Sequence, residues 1–456
     1  MDFAKLRLDD SFEVAAEWWL PEKPEVRVHG VLSFSQESGA RLKLHGVFDV
    51  PQLTELLPLL NGKPFEAERV FGEAIDGGQV TLERVFLTQA NSDGSQYFCH
   101  RILAGALVAD GEALNFSGAS FSFDNLPEWS SMRILSISSP ETGKTSVLVP
   151  RGSMTLLTIP ASELNPEVAL RGWVESSLTR YSATFDQRVQ FHVGPSVSTS
   201  VGGLIDLASN KGRLLTILMG EPAWFSYLHT VTGPDAGFNV LFQRSRYSKP
   251  KELSGPDMPL SLSDLGPEAA NLFSAWLSSV PKLRPVYAAF FSSMFNDAAY
   301  VDSKFQSIMQ AIESFHRRAR AGKYLGQSDY DQLAAQWTAA IPSCGPDLRQ
   351  RLKEVARYGN EFSLRKRFKG LLGEIKQSTR DALRLDDQFV SKAIDTRNYY
   401  AHLDDAGKTD WAYSGRLLFY ANQRLSAFLI VLLLKYCGIS EDTAVGAAVK
   451  GRIFDQ

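Results

Sequence analysis

The sequence predicts an α+β chain of two parts. A β-rich N-terminal domain, sandwich-like or barrel-like, is followed by an all-α helical bundle. Three observations carry this. Apolar and polar residues alternate around Gly-, Asn-, Asp- and Ser-rich turns up to about residue 250. A stretch rich in Pro, Ser and Gly follows, SKPKELSGPDMPLSLSDLGPE, residues 248–268. Beyond it the apolar period becomes helical.

Each element reads in order. VRVHGVLSFSQESGARLKLHGVFDV alternates on both sides of a Ser-Gly turn, as a hairpin does. QVTLERVFLTQANSDGSQYFCHRILAGALV repeats the pattern around NSDG, and LNFSGASFSFDNL, TSVLVPRGSMTLLTI and YSATFDQRVQFHVG continue it. Helical pieces are expected at LTELLPLLNG and GGLIDLASNKGRLLTILMG. After the connector, Phe273, Trp276, Leu277 and Val280 recur at i, i+3, i+4 and i+7, as do Phe305, Ile308, Met309, Ile312 and Phe315 further on. The domains are therefore set at 1–250 (β-rich), 251–300 (connector and first helices) and 301–456 (bundle).

Composition narrows the classes. The chain of 456 residues, 44% hydrophobic and 22% charged, is long enough for two or three domains and ordinary for a globular protein. The N-terminus has no apolar signal segment. The longest uncharged apolar run, LSAFLIVLLL (425–434), is too short to span a bilayer and reads as a buried helix. The cysteines Cys99, Cys344 and Cys437 are odd in number and far apart. That fits a reducing compartment, the cytoplasm, and argues against a disulfide framework or a Cys-based zinc site. Residues 301–456 carry 24 Lys+Arg and 18 Asp+Glu, a balance of +6, leaving −9 for residues 1–300. The C-terminal third is thus the place for a polyanion, although a solvated helical surface has the same composition.

One cluster stands out for chemistry. AIDTRNYYAHLDD puts Arg397, Asn398 and His402 within six positions, ahead of the apolar helix. Walker A, G-x-G-x-x-G, H-E-x-x-H and G-x-S-x-G patterns are missing, and the acidic residues show no metal-ligand spacing, so neither metal nor cofactor is implied. RNA carries its own nucleophile, the 2′-OH. Its cleavage needs a base, an acid for the leaving 5′-oxygen, and positive charge on the developing phosphorane. His402 is suited to base or acid. Arg397 is suited to clamping phosphate oxygens, and Asn398 to bonding the substrate or holding the imidazole. The spacing also imposes a constraint. Five positions on an α-helix turn by about 140° and rise about 7.5 Å. Either the helix ends near Tyr400, or Arg397 and His402 are assembled with a second copy of the chain. The plainer reading is that both cations satisfy carbonyls at a helix C-terminus. Tyr399 and Tyr400 read as core or interface aromatics, and Asp404 and Asp405 as a capping pair.

TRNYYAH before a final long helix resembles the motif of the HEPN superfamily: Arg, a polar residue, a short spacer, then His. KFQSIMQAIESFHRR and SLRKRFKGLL resemble the corresponding helices of the ApeA-type branch, and EWWLPEKPEVRVHGVLSFS resembles the start of its N-terminal domain. The resemblance implies a HEPN bundle with metal-independent endoribonuclease activity, in phage defence through growth-arresting RNA cleavage. It implies two motifs paired across a homodimer, with Arg397, Asn398 and His402 catalytic and Glu313 supporting them by orienting the His. RNA contacts are expected at His316, Arg317, Arg318, Arg365, Lys366 and Arg367. The β-rich domain would be the regulator, recognising a phage-derived trigger; no membrane is expected. The rivals are a non-catalytic HEPN scaffold, and a β-rich module that defines the function by binding a carbohydrate or peptide. The eight Trp, Trp18 and Trp19 among them, permit the latter.

Overall fold

The computed structural model describes the chain except residues 1–2, 4–5, 49–64, 92–93, 109–113, 132–135, 142–143, 164, 195–196, 234–235, 245–250, 297, 403–408 and 451–456. It forms two compact units, Met1–Leu277 and Ser278–Gln456.

The first unit is built on a closed barrel. Its strands are β1 (Phe12–Trp19), β2 (Val28–Ser35), β3 (Gly39–Leu44), β4 (Glu66–Ala74), β5 (Gln79–Asn91) and β6 (Gly94–Ala104). The order β6-β3-β2-β1-β4-β5 returns to β6, and every pairing is antiparallel. Closure leaves these strands no open edge along the ring. Alternation in the sequence becomes inside and outside: Phe12, Val14, Ala16 and Trp18 of β1 are buried, whereas Glu13 and Ala15 are exposed. Leu32, Leu42, Val70, Val80, Leu82, Val85 and Ile102 fill the interior with them. Gly72 is required there, because a Cβ would overlap the Trp18 ring. Trp18 and Trp19 are both buried, so neither is a surface platform for a sugar.

The sheet branches at β6. One edge pairs with β5; the other pairs with β3 up to Cys99 and with β16 (Ala236–Phe242) from Arg101 onward. From β16 the sheet continues through β15 (Phe225–Gly233), β8 (Gly118–Phe123), β13 (Ala183–Val193), β12 (Val168–Leu178) and β11 (Met154–Ile159). Between these in the chain lie the short pairs β14 (Val197–Thr199) with β7 (Leu114–Phe116), and β10 (Lys144–Leu148) with β9 (Ser136–Glu141).

The expected helix GGLIDLASNKGRLLTILMG is α1 (Val201–Met219). Ser200 caps its start by accepting from the Gly203 N–H, and Gly220 ends it at φ 79°. The helix packs where Gly212 meets the Phe123 ring, over the stacked pair Phe121–Phe191. The connector is folded from residue 251 on. Met258, Leu260 and Leu265 are buried, and the Trp129 indole donates to the Leu260 carbonyl at 2.8 Å. The expected helix at LTELLPLLNG lies outside the described residues.

The second unit is helical. After α2 (Glu268–Met294), which crosses the division, come α3 (Val301–Ala319), α4 (Gln327–Ala339), α5 (Pro346–Tyr358), α6 (Leu364–Gly373), α7 (Gln377–Ala382), α8 (Asp387–His402), α9 (Gly415–Tyr436) and α10 (Glu441–Val449). Phe305, Ile308, Met309, Ile312 and Phe315 of α3 face the core, as their period predicts. By length and composition α9 could cross a membrane, yet two-thirds of it is buried inside the protein. Its residues Ala427–Leu434 form the centre of the bundle, with Phe428 stacked on Phe368 at 5.4 Å.

Candidate active site

Helix α8 carries the Arg-Asn-x3-His cluster. The Asp386 side chain caps its start, accepting from the Phe389 N–H at 2.6 Å. Phe389, Val390, Ala393, Ile394 and Thr396 are its buried stripe, with Phe389 and Tyr400 anchored on Trp411 and Phe305. Arg397 is half-buried, and Asn398 and His402 are exposed, off that stripe.

The helix runs unbroken to His402. A break near Tyr400, one of the two ways to bring Arg397 and His402 together, is therefore not what the chain adopts. On a continuous helix they lie about 140° apart and face different directions. Asp404 and Asp405 lie outside the described residues.

The Arg397 guanidinium lies 3.7 Å from the Glu313 carboxylate of α3, and Nη1 donates to the Asn398 amide oxygen at 3.4 Å. Glu313 thus meets the arginine of the cluster; its other partner is Arg317, at 3.1 Å. Arg317 also pairs with Glu361, which in turn lies 3.3 Å from Arg367. A row of alternating charge, Arg397–Glu313–Arg317–Glu361–Arg367, links α8 to α3 and to the start of α6. Its members other than Glu313 and Arg367 are substantially exposed, where each ion pair contributes about 0–1 kcal/mol.

Two of the expected RNA contacts are placed otherwise. His316 and Arg367 are buried, at 5% and 2% exposure. Arg367 donates through Nε to the Phe362 carbonyl at 2.9 Å, and its Nη1 meets His316 Nδ1 at 3.2 Å. Burial, then the neighbouring Arg367, pushes the His316 imidazole below its ordinary pKa. The neutral ring leaves Nδ1 free to accept, and the pair is an internal strut between α3 and α6. The reason is periodicity: position 316 follows Phe305, Ile308 and Ile312 on the buried stripe of α3. Arg318 is exposed. Arg365 bonds Ser391 at 2.9 Å and Asp395 at 3.2 Å. Lys366 is exposed and lies over the rings of Tyr324 and Phe362, at 4.0 and 4.3 Å. Glu361 and Asp395, which hold three of these cations, carried no sequence signal, since their partners are 6 to 44 positions away. Among the described residues no group of three or more His, Cys, Asp or Glu is placed to hold a metal ion.

A branched β-barrel unit followed by a helical bundle, with a polar Arg-Asn-x3-His helix before its central helix, defines a HEPN-type two-part architecture. Family models match both parts: ApeA N-terminal domain 1 over residues 13–276, and Apea-like HEPN over residues 307–443. The chain belongs to the ApeA-type HEPN family, a family of defence proteins whose HEPN domains are generally nucleases. No curated protein and no solved structure matches it.

Proposed function

We propose that the protein is a metal-independent endoribonuclease of bacterial anti-phage defence, acting as a homodimer in the cytoplasm. The observation that supports this reading most is the setting of α8. Within the HEPN-matched segment, a half-buried guanidinium held by Glu313, an amide and an exposed imidazole occupy one helix end.

The chemistry follows from the side chains. Arg397 takes two non-bridging phosphate oxygens as the 2′-OH attacks phosphorus. His402 accepts the 2′-OH proton or donates one to the leaving 5′-oxygen, giving a 2′,3′-cyclic phosphate and a 5′-OH. Asn398 bonds the substrate or fixes the imidazole. The two residues face apart on one helix, so the reading pairs two copies of α8 around one scissile phosphate. RNA approaches across Arg318 and Lys366, and the β-barrel unit holds the nuclease in check until a phage-derived trigger engages it.

A non-catalytic HEPN scaffold is the second reading, and one contact favours it: Arg397 is already satisfied by a carboxylate. RNA cleavage in EDTA by the triggered protein separates the two. The nuclease reading expects cyclic-phosphate ends, loss of cleavage in His402→Ala and Arg397→Ala, and poor rescue by Arg397→Lys. In mixtures of wild-type and His402→Ala chains, activity falling with the square of the wild-type fraction marks a shared site. Near-normal cleavage by His402→Ala would end the assignment.

A further inference from the structure

Helices α4 and α5 form a hairpin with a fixed foot and a bare face. The foot is a short ladder between the chain entering α4 and the chain leaving α5. The Tyr324 N–H donates to the Asn360 carbonyl at 3.0 Å, and the Phe362 N–H to the Gly322 carbonyl at 2.8 Å. The buried Asn360 side chain closes it, accepting from the Leu325 N–H at 2.9 Å and donating to the Leu325 carbonyl at 3.0 Å. Above the foot α4 packs on α5, and among the described residues neither makes a comparable contact with another helix or strand. The seam between them is thin. Tyr330 and Ala356 are buried in it, with the Tyr330 hydroxyl donating to the Ala356 carbonyl.

Each helix carries a longer apolar stripe than this seam covers. Tyr330, Leu333 and Trp337 recur at i, i+3 and i+7 on α4, and Leu348, Leu352 and Val355 at i, i+4 and i+7 on α5. Yet Leu333, Trp337, Leu348 and Val355 are 40–55% exposed. Helices of 13 residues draw most of their stability from packing such a face, not from propensity. Two helices leave both stripes half bare; four cover them, as in a four-helix bundle.

Charge selects the second pair. α4 holds Asp329 and Asp331 and no Lys or Arg, a balance of −2, whereas α5 holds four Lys or Arg and two Asp or Glu, a balance of +2. Among the described residues no ion pair joins the two helices; Arg351 pairs with Glu354 inside α5, at 3.5 Å. The hairpin is thus complementary to itself. About a two-fold axis across its face, α4 of one copy lies over α5 of the other, and opposite charges meet in both halves of the contact. A polyanion would be drawn to α5 and repelled by α4.

We propose that the α4–α5 hairpin is a self-association surface whose occupant is the hairpin of a second copy of this chain, with α4 of each copy over α5 of the other. Leu333 and Trp337 of one copy then close on the α5 stripe of its partner. This surface rests on the homodimer reading above and deepens it. It is read by mass rather than by cleavage, so it stands apart from the nuclease chemistry.

Sedimentation equilibrium of the full-length protein from about 0.1 to 100 µM measures it. The wild-type chain is expected to dimerise. Trp337→Ala and Leu348→Asp, both at exposed positions, should each weaken the dimer by about ten-fold or more. A charge exchange tests the arrangement. Asp329→Lys with Asp331→Lys turns α4 to +2, and Arg349→Glu with Lys353→Glu turns α5 to −2. Either double variant alone sets like charges together and should dimerise about ten-fold more weakly or worse. An equimolar mixture of the two should recover the wild-type affinity, because both halves of the contact are matched again. Recovery on mixing also shows that both variants fold. A wild-type chain that is monomeric throughout would overturn this surface and the homodimer together. A dimer that none of these variants weakens would overturn the surface alone, as would a mixture that dimerises no better than its parts.

Discussion

Lys211 in the barrel unit and Arg367 in the helical unit are both cations cut off from solvent, and they are accommodated differently. Lys211 is fully buried on α1. Its ammonium donates to the Leu207 carbonyl one turn back, at 3.1 Å, and lies 5.8 Å from the Phe121 ring. Among the described residues it has no carboxylate partner. Burial pushes its pKa down to about 7. Arg367 instead has the Phe362 and Gly322 carbonyls, His316 Nδ1 and Glu361 around it. The difference follows from the side chains. A lysine in an apolar site can shed its proton, whereas a guanidinium stays charged and must be given acceptors.

The sharpest way to break this comparison is to remove each cation. Arg367→Ala leaves His316 Nδ1 and the Phe362 carbonyl without a donor, and should cost about 2–5 kcal/mol, at about 1–3 for each buried acceptor left unsatisfied. Urea unfolding, with amide exchange in α6 as the local probe, measures it. A loss below about 1 kcal/mol would mean that water replaces the guanidinium. Lys211→Met should do the opposite and stabilise the barrel unit at pH 7 by on the order of a few kcal/mol, because an ammonium is no longer stripped of water.

The pH dependence sharpens it further. Lys211 holds its proton up to about pH 7 when folded and to 10.5 when unfolded. Between those values the unfolded chain binds more protons, so the stability of the barrel unit rises with pH; below 7 the penalty is constant. Lys211→Met should flatten that rise between pH 7 and 9.5. His316 works from the acid side. Its folded pKa lies below 6.5, so the unfolded chain binds more protons as pH falls from 6.5 through the folded value. The helical unit should lose stability over that range. His316→Gln keeps an acceptor for Arg367 and should remove the loss. Unfolding midpoints between pH 5 and 7 check this.

The two units also differ in how far their sequences disclose them. Alternation and turn residues reveal the barrel strands and the inward side of each, because period 2 is local. Closure is not local: β6 is shared by β5, β3 and β16, and nothing in QYFCHRILA marks a strand with two partners on one edge. In the bundle, the core face of α3 and the burial of α9 follow from period and composition. FHRR at 315–318 looked like one basic surface, yet His316 falls four positions after Ile312, on the apolar stripe. That spacing was a readable sign of its burial. The charge row through Glu313 and Glu361 could not be read, since it depends on which helices become neighbours. The Arg-Asn-x3-His cluster was legible as a motif, and its helix is in place. The continuity of α8 through Tyr400 was not, because neither Gly nor Pro lies between Arg397 and His402 to fix where the helix stops.

The smallest expected change in stability, and the most informative about the site, comes from Glu313→Gln. Arg397 and Arg317 are 37% and 45% exposed, so losing this carboxylate should shift stability by no more than about 1 kcal/mol. Its effect on RNA should be larger. With Glu313 present, Arg397 is partly neutralised before any phosphate arrives; with Gln, its charge is free for the ligand. In a His402→Ala background, which keeps the RNA intact, Glu313→Gln should tighten binding several-fold at low salt. It should also steepen the slope of log K against log salt by about 0.7, one further single-strand phosphate contact. Adding Arg397→Gln should erase both gains, a coupling that a double-mutant cycle reads directly. If affinity and slope are the same with and without the Glu313 carboxylate, Arg397 does not face RNA. The contact between α3 and α8 would then be a strut between helices, as Arg367 and His316 are between α3 and α6.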